Sequence, residues 1–158
     1  MFIIRRLTPN DLPGLNQFWI EHWGGTEMVV RGEVFRPEQL DGFVAEQEHN
    51  WLGLVTFYIK DKTAEIISLD SLWESQGIGT NLIKEVLQAA RDAGCQWMIV
   101  TTTNDNLHAL GFYQKRSFEL VSIRRGAVNE SRKIKPGISL IGYNNIPIRD
   151  EIELELKL

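Results

Sequence analysis

The chain has 158 residues, 43% of them hydrophobic, a formal net charge of −4 and one cysteine. That length supports a single domain, residues 1–158, with a sizeable core, and the mild acidity argues against a nucleic-acid or anionic-membrane surface. The lone Cys95 excludes an intrachain disulfide and any site built from several thiolates. No apolar run approaches the roughly 20 residues that span a bilayer, and the N-terminus lacks a signal-peptide pattern, so a cytoplasmic protein is expected.

In chain order, Phe2 to Leu7 reads as a strand. Thr8 as N-cap and Pro9 in the first turn open a helix whose apolar face carries Leu12, Leu15, Phe18 and Trp19; Gly24-Gly25 ends it. Met28 to Phe35 reads as one short strand, with a helical turn at Pro37-Glu38-Gln39. Three meander strands follow, Phe43 to Gln47, Leu52 to Ile59 and Ala64 to Leu72, joined by turn-like His49-Asn50 and Asp61-Lys62.

Gly77 to Ala93 carries the strongest helical periodicity, with Ile78, Leu82, Ile83, Val86, Leu87 and Ala90 on one face and Gly94 as the stop. Trp97 to Thr101 has the continuous apolar character of a central strand. A short helix is predicted over Leu107 to Lys115 and a strand from Phe118. Arg125 to Pro147 is a long connection expected to hold short strands, and Ile148 to Leu158 alternates as a half-buried strand. The order β-α-β-β-β-β-α-β-α-β-β predicts a mixed α/β (α+β) fold with a mostly antiparallel sheet. The alternating final strand could pair across a two-fold axis to make a homodimer.

Two motifs carry chemistry. Ser75-Gln76-Gly77-Ile78-Gly79-Thr80 stands between a strand and the best helix, where two glycines leave backbone N–H groups open to a phosphate. Leu82 occupies the place of the third glycine of a dinucleotide fingerprint, and no Gly-Lys-Ser/Thr follows to make a P-loop. Further on comes Asn106-x-x-Ala109-x-x-x-Tyr113-x-x-x-x-Phe118. This succession resembles the GNAT superfamily of acyl-CoA-dependent N-acyltransferases.

The resemblance implies acetyl-CoA as acyl donor; the single cysteine and the scattered histidines lead to the expectation of no metal. The resemblance puts the pyrophosphate on Ser75, Gln76, Gly77, Ile78, Gly79 and Thr80, and the pantetheine arm along Ile67, Ser68 and Leu69. The Leu69 N–H becomes an oxyanion donor, Asn106 a further cofactor contact, and Tyr113 the acid that protonates the departing thiolate. The chain departs from the family pattern at Glu74, where Gln or Arg is usual. A carboxylate there repels a pyrophosphate unless a cation compensates, and Lys84 and Lys115 are the candidates.

An amine of pKa about 10.4 is roughly 0.1% neutral at pH 7, so a base is useful. Glu65 matches a position where some relatives carry one, and Asp70 is the alternative nearer the thioester. Five residues apart on a strand, the two should face opposite ways. Thr101 stands where other relatives have an acid. Bland roles compete throughout: Asn106 as a helix cap, Tyr113 as a packing aromatic, and Arg132, Lys133 and Lys135 as a solvated cluster rather than a ribose-phosphate contact or a lid. His22, His49 and His108 lack metal-ligand spacing. Trp23, at the end of the first helix, is the expected wall of an acceptor pocket.

The function expected is N-acetyl transfer to a small-molecule or peptide amine by direct attack in a ternary complex. The competing expectation is a non-catalytic acyl-CoA sensor or scaffold of the same fold.

Overall fold

The computed structural model describes residues 1–158. Its elements are β1 (Ile3–Arg6), α1 (Leu12–Trp23), β2 (Met28–Val30), β3 (Glu33–Phe35), β4 (Asp41–Gln47), β5 (Asn50–Lys60) and β6 (Thr63–Ser71). After these come α2 (Ile78–Asp92), β7 (Trp97–Thr103), α3 (Leu107–Gln114), β8 (Glu119–Arg124), α4 (Ala127–Ile134) and β9 (Glu151–Lys157). Seven strands form one sheet in the order β1-β4-β5-β6-β7-β9-β8, in which only the β6–β7 pair is parallel. The expected mixed, mostly antiparallel fold is present.

The two faces of the sheet carry separate cores. Phe57, Ile66, Met98 and Leu154 pack with Leu82 and Val86 of α2 on one face. Leu54 and Ile67 pack with Leu15, Phe18 and Trp19 of α1, and with Met28 and Phe35, on the other. The spacing of Leu15, Phe18 and Trp19 places them on one side of α1, and Gly24, at φ 78°, ends that helix in the left-handed region.

Three expectations need correction. Met28–Phe35 is a separate two-stranded hairpin, β2–β3, because Arg31 and Gly32 both adopt positive φ and reverse the chain. Arg125–Pro147 contains helix α4 rather than strands. The final strand β9 lies inside the sheet, paired to β7 and to β8, so its edges are already satisfied and it cannot pair with a second copy. The open edges are β1 and β8, and β8 exposes Leu120, Val121 and Ile123.

One irregularity shapes the site. Thr56 opposes Ser68 and Phe57 opposes Ile66, so Ile67 is an extra residue, a β-bulge in β6. The bulge resets the alternation of side chains. Beyond it, β6 also leaves its neighbour: the β6–β7 pairing ends at Ile66 and Val100, and the two strands splay apart.

Candidate active site

The splay opens into a cleft of about 780 Å³, bounded by the end of β6, the first turn of α2 and one side of α3. Leu69, Ser75, Gly77, Ile78, Gly79, Thr80, Asn106 and Tyr113 all line it, so most of the expected site residues meet in one place. Ile67, Ser68, Gln76 and Glu65 do not line it. The side chains of Ile67 and Ser68 turn to the α1 face, where Ser68 Oγ lies 2.6 Å from Thr56 Oγ1. What those two residues can offer the cleft is backbone.

The direction of that backbone follows from one bond. The Leu72 N–H donates to the Leu52 carbonyl of β5 at 2.8 Å, and N–H directions alternate along a strand. The Leu69 N–H therefore points away from β5, into the splay, where β7 no longer pairs with β6.

The helix terminus is built to stay open. Gly77, at φ 75°, is the N-cap of α2 and has no side chain to close it. The first helical bond runs from Asn81 N to the Gly77 carbonyl, so the amides of Ile78, Gly79 and Thr80 precede it. A Cβ at Gly79 would sit 3.3 Å from the Phe112 ring, so glycine lets α3 approach α2 closely. The geometry fits an anionic diphosphate.

The cation beside this helix terminus is Arg116, which the sequence analysis missed. It follows α3, stacks on Phe112 with its guanidinium carbon 3.5 Å from the ring centre, and donates from Nε to Thr80 Oγ1 at 3.2 Å. Burial lowers its pKa from the usual arginine value. Lys84 is exposed on α2 outside the cleft, and Lys115 lies in a neighbouring shallow groove instead. Glu74 is exposed at the cleft's rim.

Tyr113 is buried between Phe112 and Phe118, with ring centres 5.3 Å away on each side. Its hydroxyl lacks a hydrogen bond within the protein but is not sealed from the cleft. Burial, and then the negative field of Asp70, push its pKa well above the ordinary tyrosine value, so it stays protonated. Asn106 caps α3, its Oδ1 accepting from Ala109 N at 3.1 Å, while the residue still lines the cleft.

The two candidate bases part company. Because of the bulge, Glu65 and Asp70 share the α1 face of the sheet, contrary to the expected opposite orientations. Glu65 is 4% exposed and gripped through both oxygens by Arg31 from the β2–β3 turn. It is a structural ion pair that ties the hairpin to the sheet, not a base poised in the cleft. Asp70 does line the cleft. Burial raises its pKa, and a hydrogen bond from the Trp23 indole N–H at 3.0 Å and the charge of His22 oppose the rise.

The basic cluster after β8 is structural. Arg132 donates to the Ser139 carbonyl at 2.6 Å and the Ile148 carbonyl at 2.7 Å, and Lys135 Nζ donates to the Trp23 and Glu27 carbonyls at 2.9 Å each. Lys133 pairs on the surface with Glu130. Together Arg132 and Lys135 fasten the segment carrying Tyr143 and Asn144, which the sequence analysis also missed, along the cleft. No group of His, Cys, Asp and Glu suited to a metal ion is present, and no helix is long and apolar enough to cross a membrane.

An open glycine-capped helix terminus, the end of a splayed parallel pair and a tyrosine thus meet in one cleft. Residues 12–118 match the acetyltransferase (GNAT) family, and the chain belongs to that family. It is 44% identical to the Bacillus subtilis protein YdhI over 87% of each chain, and 40% identical to YxbD of the same organism over 95% of this chain and 94% of that one. Its fold is similar to that of a GNAT family acetyltransferase from Elizabethkingia anophelis with acetyl-CoA bound, with a TM-score of 0.73 and 23% identity over 99% of this chain and 98% of that chain.

Proposed function

We propose that residues 1–158 act as one N-acetyltransferase domain that moves an acetyl group from acetyl-CoA to a primary amine by direct attack. The observation that carries this reading is the convergence on one cleft of the uncapped Ile78–Thr80 amides beside Arg116 and the unbonded Tyr113 hydroxyl. The acetyl-CoA seen with the Elizabethkingia relative supports the choice of donor. When bound, acetyl-CoA supplies the acyl group as a thioester.

The protein's own residues do the rest. Ile78, Gly79 and Thr80 hold the pyrophosphate through their N–H groups, with Arg116 neutralising charge that Glu74 would otherwise oppose. The backbone of Ile67 to Leu69 guides the pantetheine arm along the open side of β6, as an added strand would be held. The Leu69 N–H stabilises negative charge that develops on the thioester oxygen. Tyr113 gives its proton to the departing sulfur. Cys95 is not a competing nucleophile, since it is buried away from the cleft and its burial raises the thiol pKa.

Calorimetry with acetyl-CoA, alongside thiol release over an amine panel, tests the proposal. Binding with turnover is expected, and no binding by the intact protein would overturn it. The second reading, a non-catalytic acyl-CoA sensor, has one observation in its favour: Glu65, the family-matched base, is locked to Arg31. Tight binding without turnover on any amine would favour it.

A further inference from the structure

Two carboxylates line the cleft. Glu74 lies in the exposed loop before α2, and Asp70 lies near the end of β6 between Leu69 and Ser71, close enough for its charge to act on Tyr113. Asp70 is held from one side only. Trp23 donates its indole N–H to Oδ2 at 3.0 Å across from α1, and Oδ1 has no partner in the protein. The groups that face Asp70 are His22 and Trp23 from α1 and Tyr113 from α3, and no lysine or arginine meets it. Arg116 is engaged at the α2 end with Thr80, and Lys135 is tied to backbone carbonyls.

The cleft that holds this carboxylate carries exposed aromatic rings. Trp23, Trp73 and Tyr143 come from three separate segments, are 41%, 46% and 66% exposed, and line the same cleft. Exposed aromatics gathered at a cleft mark a surface that expects a partner. Tyr143 is fixed there: the buried Asp105 accepts from its N–H at 3.1 Å, and Gly142 is required because a Cβ would lie 2.0 Å from Asp105 Oδ2. An ammonium is favoured by aromatic faces and a carboxylate alike. A carboxylate on the ligand would find no lysine or arginine at Asp70 to pair with and would be repelled by the Asp70 carboxylate itself.

Resting on the acetyltransferase reading above, we infer that the acceptor is a primary amine on an apolar or aromatic body with no carboxylate beside the nitrogen, and that Asp70, positioned by Trp23, takes the proton from its ammonium. Asp70 accepts one ammonium proton, and the freed lone pair forms the N–C bond to the thioester carbon. As the C–S bond breaks, the sulfur takes the Tyr113 proton. Tyr113 recovers a proton from the acylated nitrogen, and Asp70 releases its own to solvent. Burial that raises the Asp70 pKa brings its basicity closer to the working pH.

The test compares phenethylamine, phenylalanine and spermidine as acceptors, with thiol release as the readout. Phenethylamine should exceed the other two in kcat/KM by about tenfold or more, and a preference for either of the others overturns the acceptor class. Asp70→Asn should lower kcat/KM for phenethylamine by about 10²–10⁴ and abolish the acidic limb of its pH profile, with acetyl-CoA affinity by calorimetry unchanged within about twofold. Trp23→Phe keeps a ring but removes the donor, so the acidic limb should move to higher pH. A limb unmoved in both variants overturns the role of Asp70, as does acetyl-CoA binding by the wild type without turnover of phenethylamine. Failure of the wild type to bind acetyl-CoA would instead sink the acetyltransferase reading itself.

Discussion

Arg116 joins α3 to the phosphate cradle: it donates from Nη1 to the Phe112 carbonyl at 2.8 Å and from Nε to Thr80 Oγ1 at 3.2 Å. Its guanidinium is thus held in place before any ligand arrives, which reduces the ordering cost of binding a diphosphate. Arg116→Ala should weaken acetyl-CoA binding by on the order of tenfold or more, the loss of one charge-assisted contact. Lys84→Ala and Lys115→Ala should change it by less than about twofold. Calorimetry at low and high salt checks both points, since the wild type should lose more affinity with salt than Arg116→Ala does. Equal losses for Lys84 or Lys115 would move the cation elsewhere.

Tyr113 is an acid, so it must hold its proton to act. Its pKa is raised by burial first and by Asp70 second, which keeps the protonated form dominant through neutral pH and beyond. Tyr113→Phe should lower kcat by about 10²-fold or more while leaving the acetyl-CoA dissociation constant nearly unchanged. In the wild type the alkaline fall in rate from this group should come only above the ordinary tyrosine range. Small and equal losses in kcat and affinity would reduce Tyr113 to a packing residue between Phe112 and Phe118.

The sequence carried the parts of this site that depend on local rules. Gly77 and Gly79 at the start of an amphipathic helix announce an open N-terminus, and the periodicity of Ile78 to Ala90 announces the helix. Asn106 and Tyr113 follow at the distance the family requires. What it could not carry were features set by pairing between distant segments. The bulge at Ile67 exists only relative to β5, and it alone puts Glu65 and Asp70 on one face. Glu65 looked available because Arg31, its partner, is 34 residues away on a hairpin whose turn was read as strand interior. The Arg31-Gly32 pair was the available signal for that hairpin, since a glycine between two β-prone triplets marks a reversal. Arg116 gave no signal, as one arginine in a loop has no pattern, whereas the alternation of β9 was legible but silent on whether one edge or two would be paired.

Gly79 serves both packing and binding. Alanine there would place a methyl 3.3 Å from the Phe112 ring, a contact that a shift of a few tenths of an ångström relieves. Gly79→Ala should therefore fold normally, cost about 1 kcal/mol or less in urea unfolding, and weaken acetyl-CoA modestly. Gly79→Glu adds bulk and a negative charge at the amides and should abolish detectable binding. Unchanged affinity in the glutamate variant would refute the cradle.

Stability at low pH has a definite source near the N-terminus. Arg5 of β1 reaches Asp11 through Nη1 at 2.9 Å and Nη2 at 3.0 Å, and Glu46 of β4 through Nε at 2.8 Å. Thr8 N–H adds a bond of 2.7 Å to Asp11. These contacts, the Arg5 hydrogen bonds foremost, bring the Asp11 carboxyl from 3.8 down to about 2. Because the folded-state pKa is the depressed one, the stabilisation is complete above the unfolded pKa and is lost as pH falls from about 4 to about 2. Asp11→Asn should cost about 1 kcal/mol at pH 7, after allowance for solvent screening at this part-exposed site. Urea unfolding of both proteins between pH 7 and pH 2 should show the gap closing over that acidic window. A gap that stays constant to pH 2 would mean that the neutral asparagine loses shape or hydrogen-bond geometry rather than charge.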